Sequence, residues 1–103
     1  MAATPEKKVK DKVVSILKAE GAYYFFPMTH GYGRSGVPDI VACVNGWFLG
    51  IECKAGKNKV SEHQAREIQS IRAANGVAVV VNEENWDMLP ELIRKLKALE
   101  PKP

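Results

Sequence analysis

The sequence predicts a small α/β fold, a mixed sheet flanked by helices in the order helix, three strands, helix, strand, helix. Three observations predict it. Apolar residues recur at helical spacing in three segments and run as short strands between them. Asn45-Gly46 stands between two apolar runs, the strongest short hairpin signal. Thr4-Pro5 and Ser61-x-x-Gln64 mark two helix starts. A length of 103 residues fits one domain, 1–103, with loose ends expected at 1–4 and 101–103.

The first helix follows the cap Thr4-Pro5-Glu6. Val9, Val13, Ile16, Leu17 and Glu20 share one stripe, and Gly21 stops the helix. Tyr23-Tyr24-Phe25-Phe26 forms an aromatic strand ended by Pro27. Residues 29–36, THGYGRSG, are glycine-rich and polar and form a loop. IVACV and WFLGIECK are the arms of the hairpin. Ser61 starts a second helix running to about Ala74, with Ile68 and Ile71 inward and Gly76 as its stop. Val77–Val81 is a buried strand. A last helix is expected from about Glu84 to Leu99, burying Trp86, Leu89, Leu92, Ile93 and Leu96.

Hydrophobic residues make up 46% and charged residues 26%, the balance of a folded soluble protein. No apolar stretch can span a bilayer, and MAATPEKKVKDK lacks the apolar core of a secretory signal. The net charge of +3 permits a polyanionic partner without demanding one. Cys43 and Cys53 lie in apolar runs with no C-x-x-C or Cys/His cluster. A zinc site is therefore not expected, and both read as reduced core thiols of a cytosolic protein.

The hairpin places charges in an apolar setting. With Asn45-Gly46 as a two-residue loop, Val44 faces Trp47, Ile40 faces Ile51, and Asp39 arrives opposite Glu52. Opposed residues have Cβ atoms about 5 Å apart, and like charges there repel. Alternation puts Lys54 on the face of Glu52, roughly 7 Å beyond it. A structural answer to the repulsion has Lys54 neutralise one carboxylate while the other faces solvent. The other answer is a divalent cation. Mg²⁺ takes one or two carboxylates and keeps coordination places for water and phosphate, which suits phosphodiester hydrolysis with Lys54 beside the reacting groups.

Pro38-Asp39 followed by Glu52-Cys53-Lys54 resembles the PD-(D/E)xK nuclease signature. The pattern GVPDIVAC…GIECKAG…SEHQ is most similar to the virus-type replication-repair nuclease domain, VRR-NUC, over about Val9 to Val81. The resemblance implies a restriction-endonuclease-like core and a Mg²⁺ or Mn²⁺ cofactor. It implies Asp39 and Glu52 as metal ligands, joined by the backbone carbonyl of Cys53. Lys54 would orient the attacking water, and Gln64 matches a glutamine one helix later. Glu20 is implied as a further acid beside the metal, the alternative being a helix-end glutamate in solvent. For Gln64 the alternative is a capping box with Ser61.

Arg34 and Ser35, before Asp39, are candidate DNA contacts, with Arg34 offering a phosphate fork. Lys57 and Lys59 flank the site on the other side, or simply form a solvated turn. His30 and His63 are isolated, and neither is taken as a base. The leading expectation is a metal-dependent, structure-selective DNA endonuclease similar to Holliday-junction resolvases. It would act as a homodimer on branched DNA, without membrane or nucleotide cofactor. The alternatives are a non-catalytic nucleic-acid-binding module and a flap or nicking repair nuclease. The aromatic run Tyr23–Phe26 and Trp47 supply apolar surface for a dimer, unless the last helix covers it within the monomer.

Overall fold

The computed structural model describes residues 4–28 and 33–103. Its elements are α1 (Pro5–Ala19), β1 (Tyr23–Phe25), β2 (Ile40–Val44), β3 (Trp47–Cys53), α2 (Glu62–Ala73), β4 (Val77–Val81) and α3 (Met88–Ala98). The four strands form one mixed sheet in the order β1-β2-β3-β4. β1 with β2 and β2 with β3 are antiparallel, while β3 with β4 is parallel, joined through α2. This is the expected α-β-β-β-α-β-α order.

The hairpin register follows from the turn. Asn45 and Gly46 take φ of 55° and 81°, the positive values that a two-residue primed turn requires. Val44 pairs with Trp47 and Ile40 with Ile51, as the turn length dictates. Asn45 also holds the turn to α3, its amide donating to the carbonyls of Leu96 at 3.0 Å and Leu99 at 2.9 Å. The tail 101–103, expected loose, docks here instead. The Lys102 amide donates to the Asn45 carbonyl at 3.1 Å, and its ammonium lies 4.4 Å from the centre of the Trp47 ring. At the other end Thr4 is the cap of α1, its hydroxyl accepting from the Lys7 amide. Residues 1–3 lie outside the described residues, as do Thr29–Tyr32 of the expected loop and His30 with them.

α1 and α3 cover one face of the sheet. Val9, Val13, Leu17, Leu89 and Ile93 close on Ile40, Leu49, Ile51, Cys53 and Val81, all fully buried. α2 covers the opposite face beside β3 and β4. Alternation along β3 then sends Leu49, Ile51 and Cys53 to the α1/α3 core, and Gly50 and Glu52 toward α2. Gly50 has no side chain because there is no room for one. A Cβ would meet Pro38 Cγ at 2.9 Å and Ile71 Cδ1 at 3.1 Å. Pro38 can therefore lie against β3 and deliver Asp39 to the strand's end.

α3 starts four residues later than the sequence predicts. The Asn82 side chain accepts from the amides of Glu84 and Asn85, and Asn85 Oδ1 accepts from the Asn82 amide at 2.8 Å. These local bonds offer the backbone a turn in place of a helix. They also leave Pro90 in the first turn of α3, where its missing N–H costs nothing.

Candidate functional site

Asp39 stands immediately before β2. The next hydrogen-bonded pair of the antiparallel ladder would be Pro38 with Cys53, in which the Cys53 amide would donate to the Pro38 carbonyl. The Cys53 amide donates instead to Asp39 Oδ2 at 2.9 Å. That bond orients the Asp39 carboxylate and ties it to the backbone of Cys53.

Glu52 lies on the other face of β3 from Cys53 and is only 3% exposed. Its Oε1 accepts from Gln64 Nε2 at 2.9 Å. Gln64 forms the capping box considered from the sequence and also reaches Glu52. Its Oε1 accepts from the Ser61 amide at 2.8 Å, and its own amide donates to Ser61 Oγ at 3.2 Å. The capping box thus uses one end of the side chain and Glu52 uses the other. Gly36, at φ 76°, lets the preceding loop press against the first turn of α2, where a Cβ would collide with the His63 backbone.

Burial, followed by the charge of Asp39, pushes the Glu52 carboxyl up to about 8. The charge of Lys54 opposes the rise. Yet the half-buried Lys54 makes no ion pair among the described residues. The neutralising pair considered from the sequence is therefore not formed, while Asp39 is half-exposed and Glu52 is buried. The Cys53 thiol, buried under the same acids, is pushed up to about 12 and is inert as a nucleophile.

The sequence assignment of Glu20 to this site is corrected. Glu20 is the C-cap of α1, where Arg94 Nη2 reaches Oε2 at 3.0 Å and the Lys97 ammonium also bonds to it. The Arg94 hydrogen bond, with both cations, holds its carboxyl below the ordinary value. The acid of α1 near Asp39 is Glu6, which lies roughly 20 Å from Glu20 along the helix axis. Glu6 lines a cleft of about 450 Å³ with Thr4, Lys7, Lys10, Phe26, Asp39 and Cys53. Its charge also contributes to the rise at Glu52. Glu20→Gln is accordingly expected to lower the melting temperature slightly and leave any activity at Asp39 unchanged; parallel melting and activity assays check both.

Arg34 and Ser35 are exposed in the loop before Asp39. The Arg34 guanidinium pairs with Glu67 Oε2 at 3.1 Å, which anchors the loop to α2. Lys57 and Lys59 are exposed beyond β3, in a loop fixed by the Gly56 amide donating to Glu83 Oε1 at 2.9 Å. The exposed His63 takes no part in the acidic pair. Cys43, read as a core thiol, is exposed on the open face of β2.

Among the described residues no group of three or more His, Cys, Asp or Glu side chains is placed to hold a metal ion. Asp39 and Glu52 offer two hard carboxylates at one strand end. Such a pair suits Mg²⁺ or Mn²⁺, which take few protein carboxylates and complete their shell with water and substrate oxygen. Burial first, and the Asp39 charge second, favour the neutral form of Glu52; a divalent cation would offset the second of these.

The fold and site define a small α/β domain, built on a mixed four-stranded sheet, with an acidic pair at one strand end. Compared with known proteins, the chain matches no family model and no curated relative. Among the described residues, no helix is long and apolar enough to cross a membrane.

Proposed function

We propose that the protein is a divalent-cation-dependent nuclease of the PD-(D/E)xK kind. Within that class its motifs are most similar to the VRR-NUC domain, and the substrate is branched DNA. One observation carries the reading: a buried glutamate, tethered by Gln64, is pressed against Asp39, and among the described residues no cation is bonded to either. A structural ion pair would have Lys54 bonded to one of them. A pair kept apart from its own lysine is built to meet a cation from outside.

Asp39 and Glu52 would hold Mg²⁺ or Mn²⁺, beside the Cys53 backbone. When bound, the cation supplies Lewis acidity and neutralises charge on the attacked phosphate. The chain's own residues do the rest. Gln64 fixes the Glu52 carboxylate, and the Cys53 amide fixes that of Asp39. The Lys54 ammonium, not bonded to a carboxylate, orients the attacking water and stabilises the negative charge that develops on phosphate oxygen. A panel of labelled duplex, flap, fork and four-way junction, incubated with Mg²⁺, Mn²⁺ or chelator, tests the reading. Cation-dependent cuts in the branched substrates support it, and intact DNA throughout contradicts it.

Arg34, paired with Glu67 through one edge of its guanidinium, keeps donors on the other edge for a phosphate. Arg34→Ala, and more weakly Lys57→Ala, should lower affinity and reduce the log–log salt slope by about 0.9 for each phosphate no longer neutralised. Anisotropy titrations over a range of salt check this, and an unchanged slope in both moves the DNA path elsewhere.

A homodimer suits a junction that must be cut on two strands. Tyr24 packs on the core, while Tyr23 at 69%, Phe25 at 46% and Phe48 at 43% exposure face out on the opposite side. They border an apolar groove with Val41 and Cys43 that α3 does not cover, since α3 lies on the other face. Trp47, weighed for the same purpose, is half-buried under Lys102 and contributes little. Light scattering should give twice the 11.4 kDa chain mass, and Phe25→Glu should halve it. A wild-type monomer would remove the dimer from the reading.

A further inference from the structure

The cleft beside Asp39 holds two groups that the acidic pair does not use. Lys7 and Lys10 both line it, but they differ in their partners. Lys7 is bonded to Asp11 at 2.8 Å. Lys10 is half-buried and makes no ion pair among the described residues. Its ammonium lies 5.0 Å from the centre of the Phe26 ring. Phe26 is itself 45% exposed, braced edge-on by Tyr24 at 5.9 Å between ring centres. A phenylalanine past the end of an edge strand, held by a neighbour yet open to solvent, contributes little to the core. A lysine settled on a ring keeps its hydrogen-bond donors available to an anion.

We propose that this cleft, between the N-terminal half of α1 and the end of β1, is the channel for one nucleic-acid strand. In it Lys10 takes a backbone phosphate adjacent to the one attacked at Asp39 and Glu52, and Phe26 stacks an unpaired base. The inference rests on the nuclease reading for its chemistry but not for its test. An exposed phenyl ring stacks any base that has left a duplex and cannot reach one inside it. The channel therefore selects strands with an open base, as at a branch point. The charges add a condition. Glu6 and Asp39 face the same cleft, and Asp11 is neutralised by Lys7. Until a cation offsets those carboxylates the cleft repels phosphate, so strand binding here requires a divalent ion.

The test is binding without cutting. A fluorescent single strand of about 12 nucleotides, within the span a stacking groove takes, and a duplex of matched length are titrated with the full chain, in Ca²⁺ or in chelator, and read by anisotropy. Ca²⁺ shares the oxygen preference of Mg²⁺. Lys10→Ala should weaken single-strand binding in Ca²⁺ about tenfold and lower the salt slope by about 0.7. Phe26→Ala should weaken it by roughly 5- to 100-fold and leave the duplex nearly unaffected. Lys10→Arg and Phe26→Trp should restore binding, which separates loss of the phosphate and base partners from loss of fold. Equal single-strand affinity in wild type, Lys10→Ala and Phe26→Ala would overturn the channel even if the protein cuts DNA. So would a wild type that binds no strand in Ca²⁺. Binding that depends on Lys10 and Phe26 in a protein that never cuts would uphold the channel and overturn the nuclease reading.

Discussion

Glu52→Gln should abolish cation-dependent cleavage and, in the same protein, stabilise the metal-free fold at neutral to alkaline pH. The two effects share one cause. Folded Glu52 keeps its proton up to about pH 8, whereas an unperturbed glutamate releases it near 4.5. Between those values the folded state binds more protons than the unfolded state, so stability falls as pH rises through this window and levels off above it. The cost of ionising the buried carboxyl is on the order of 4 kcal/mol at the top of the window. Glutamine escapes it. Its carbonyl can still accept from Gln64 Nε2, and it carries no charge to bury. In chelator at about pH 8 the variant should melt roughly 10 °C or more above wild type, and at about pH 4 the two should coincide. With excess Mn²⁺ the order should narrow or reverse, because only wild type gains from binding. A variant that cuts at the wild-type rate would remove Glu52 from the chemistry.

Lys54→Ala should reduce cleavage by about 10²- to 10³-fold, the effect of one well-placed electrostatic group. Its affinity for the cation should be kept or slightly raised. Lys54 bonds to neither carboxylate, and its own charge repels an arriving cation. That separation distinguishes it from a ligand, whose loss removes binding and cleavage together. Lys54→Arg should keep part of the rate by preserving the charge. If Lys54→Ala cuts at nearly the wild-type rate, the lysine only moderates the charge of Glu52.

Much of this architecture is legible in the sequence because it is fixed locally. A two-residue Asn-Gly turn admits one register, and that register alone brings Asp39 to the end of the strand carrying Glu52. Ser61 and Gln64 announce α2 through their capping box. The choice of Glu20 over Glu6 shows where periodicity fails. Glu20 lies seven after Val13 and Glu6 seven before it, so the stripe selects both and says nothing about which end of the helix meets the site. Topology decides. α1 turns directly into β1, and β1 runs antiparallel to β2, with Phe25 opposite Val41. The start of α1 therefore lies beside the start of β2, where Asp39 stands. Following the chain direction through that turn finds Glu6, and with it Lys10 one helical turn on. Cys43 is misplaced for a related reason. An apolar run reads as core on both faces, but α2 covers only the β3–β4 part of its face and leaves Cys43 open. The late start of α3 depends on side-chain bonds between Asn82 and Asn85, which composition alone does not reveal.

Calorimetric titration of the metal-free protein with Mn²⁺ near pH 7, in buffers of different ionisation enthalpy, tests the acidic pair most directly. If Asp39 and Glu52 form a cation site, binding must expel the proton that Glu52 retains, so about one proton should be released per site near pH 7 and almost none above about pH 9. Asp39→Asn and Glu52→Gln should each lose most of the affinity, and Glu52→Gln should lose the proton release as well. Absence of Mn²⁺ binding by wild type, or equal affinity and proton release in both variants, would contradict a metal centre at Asp39 and Glu52.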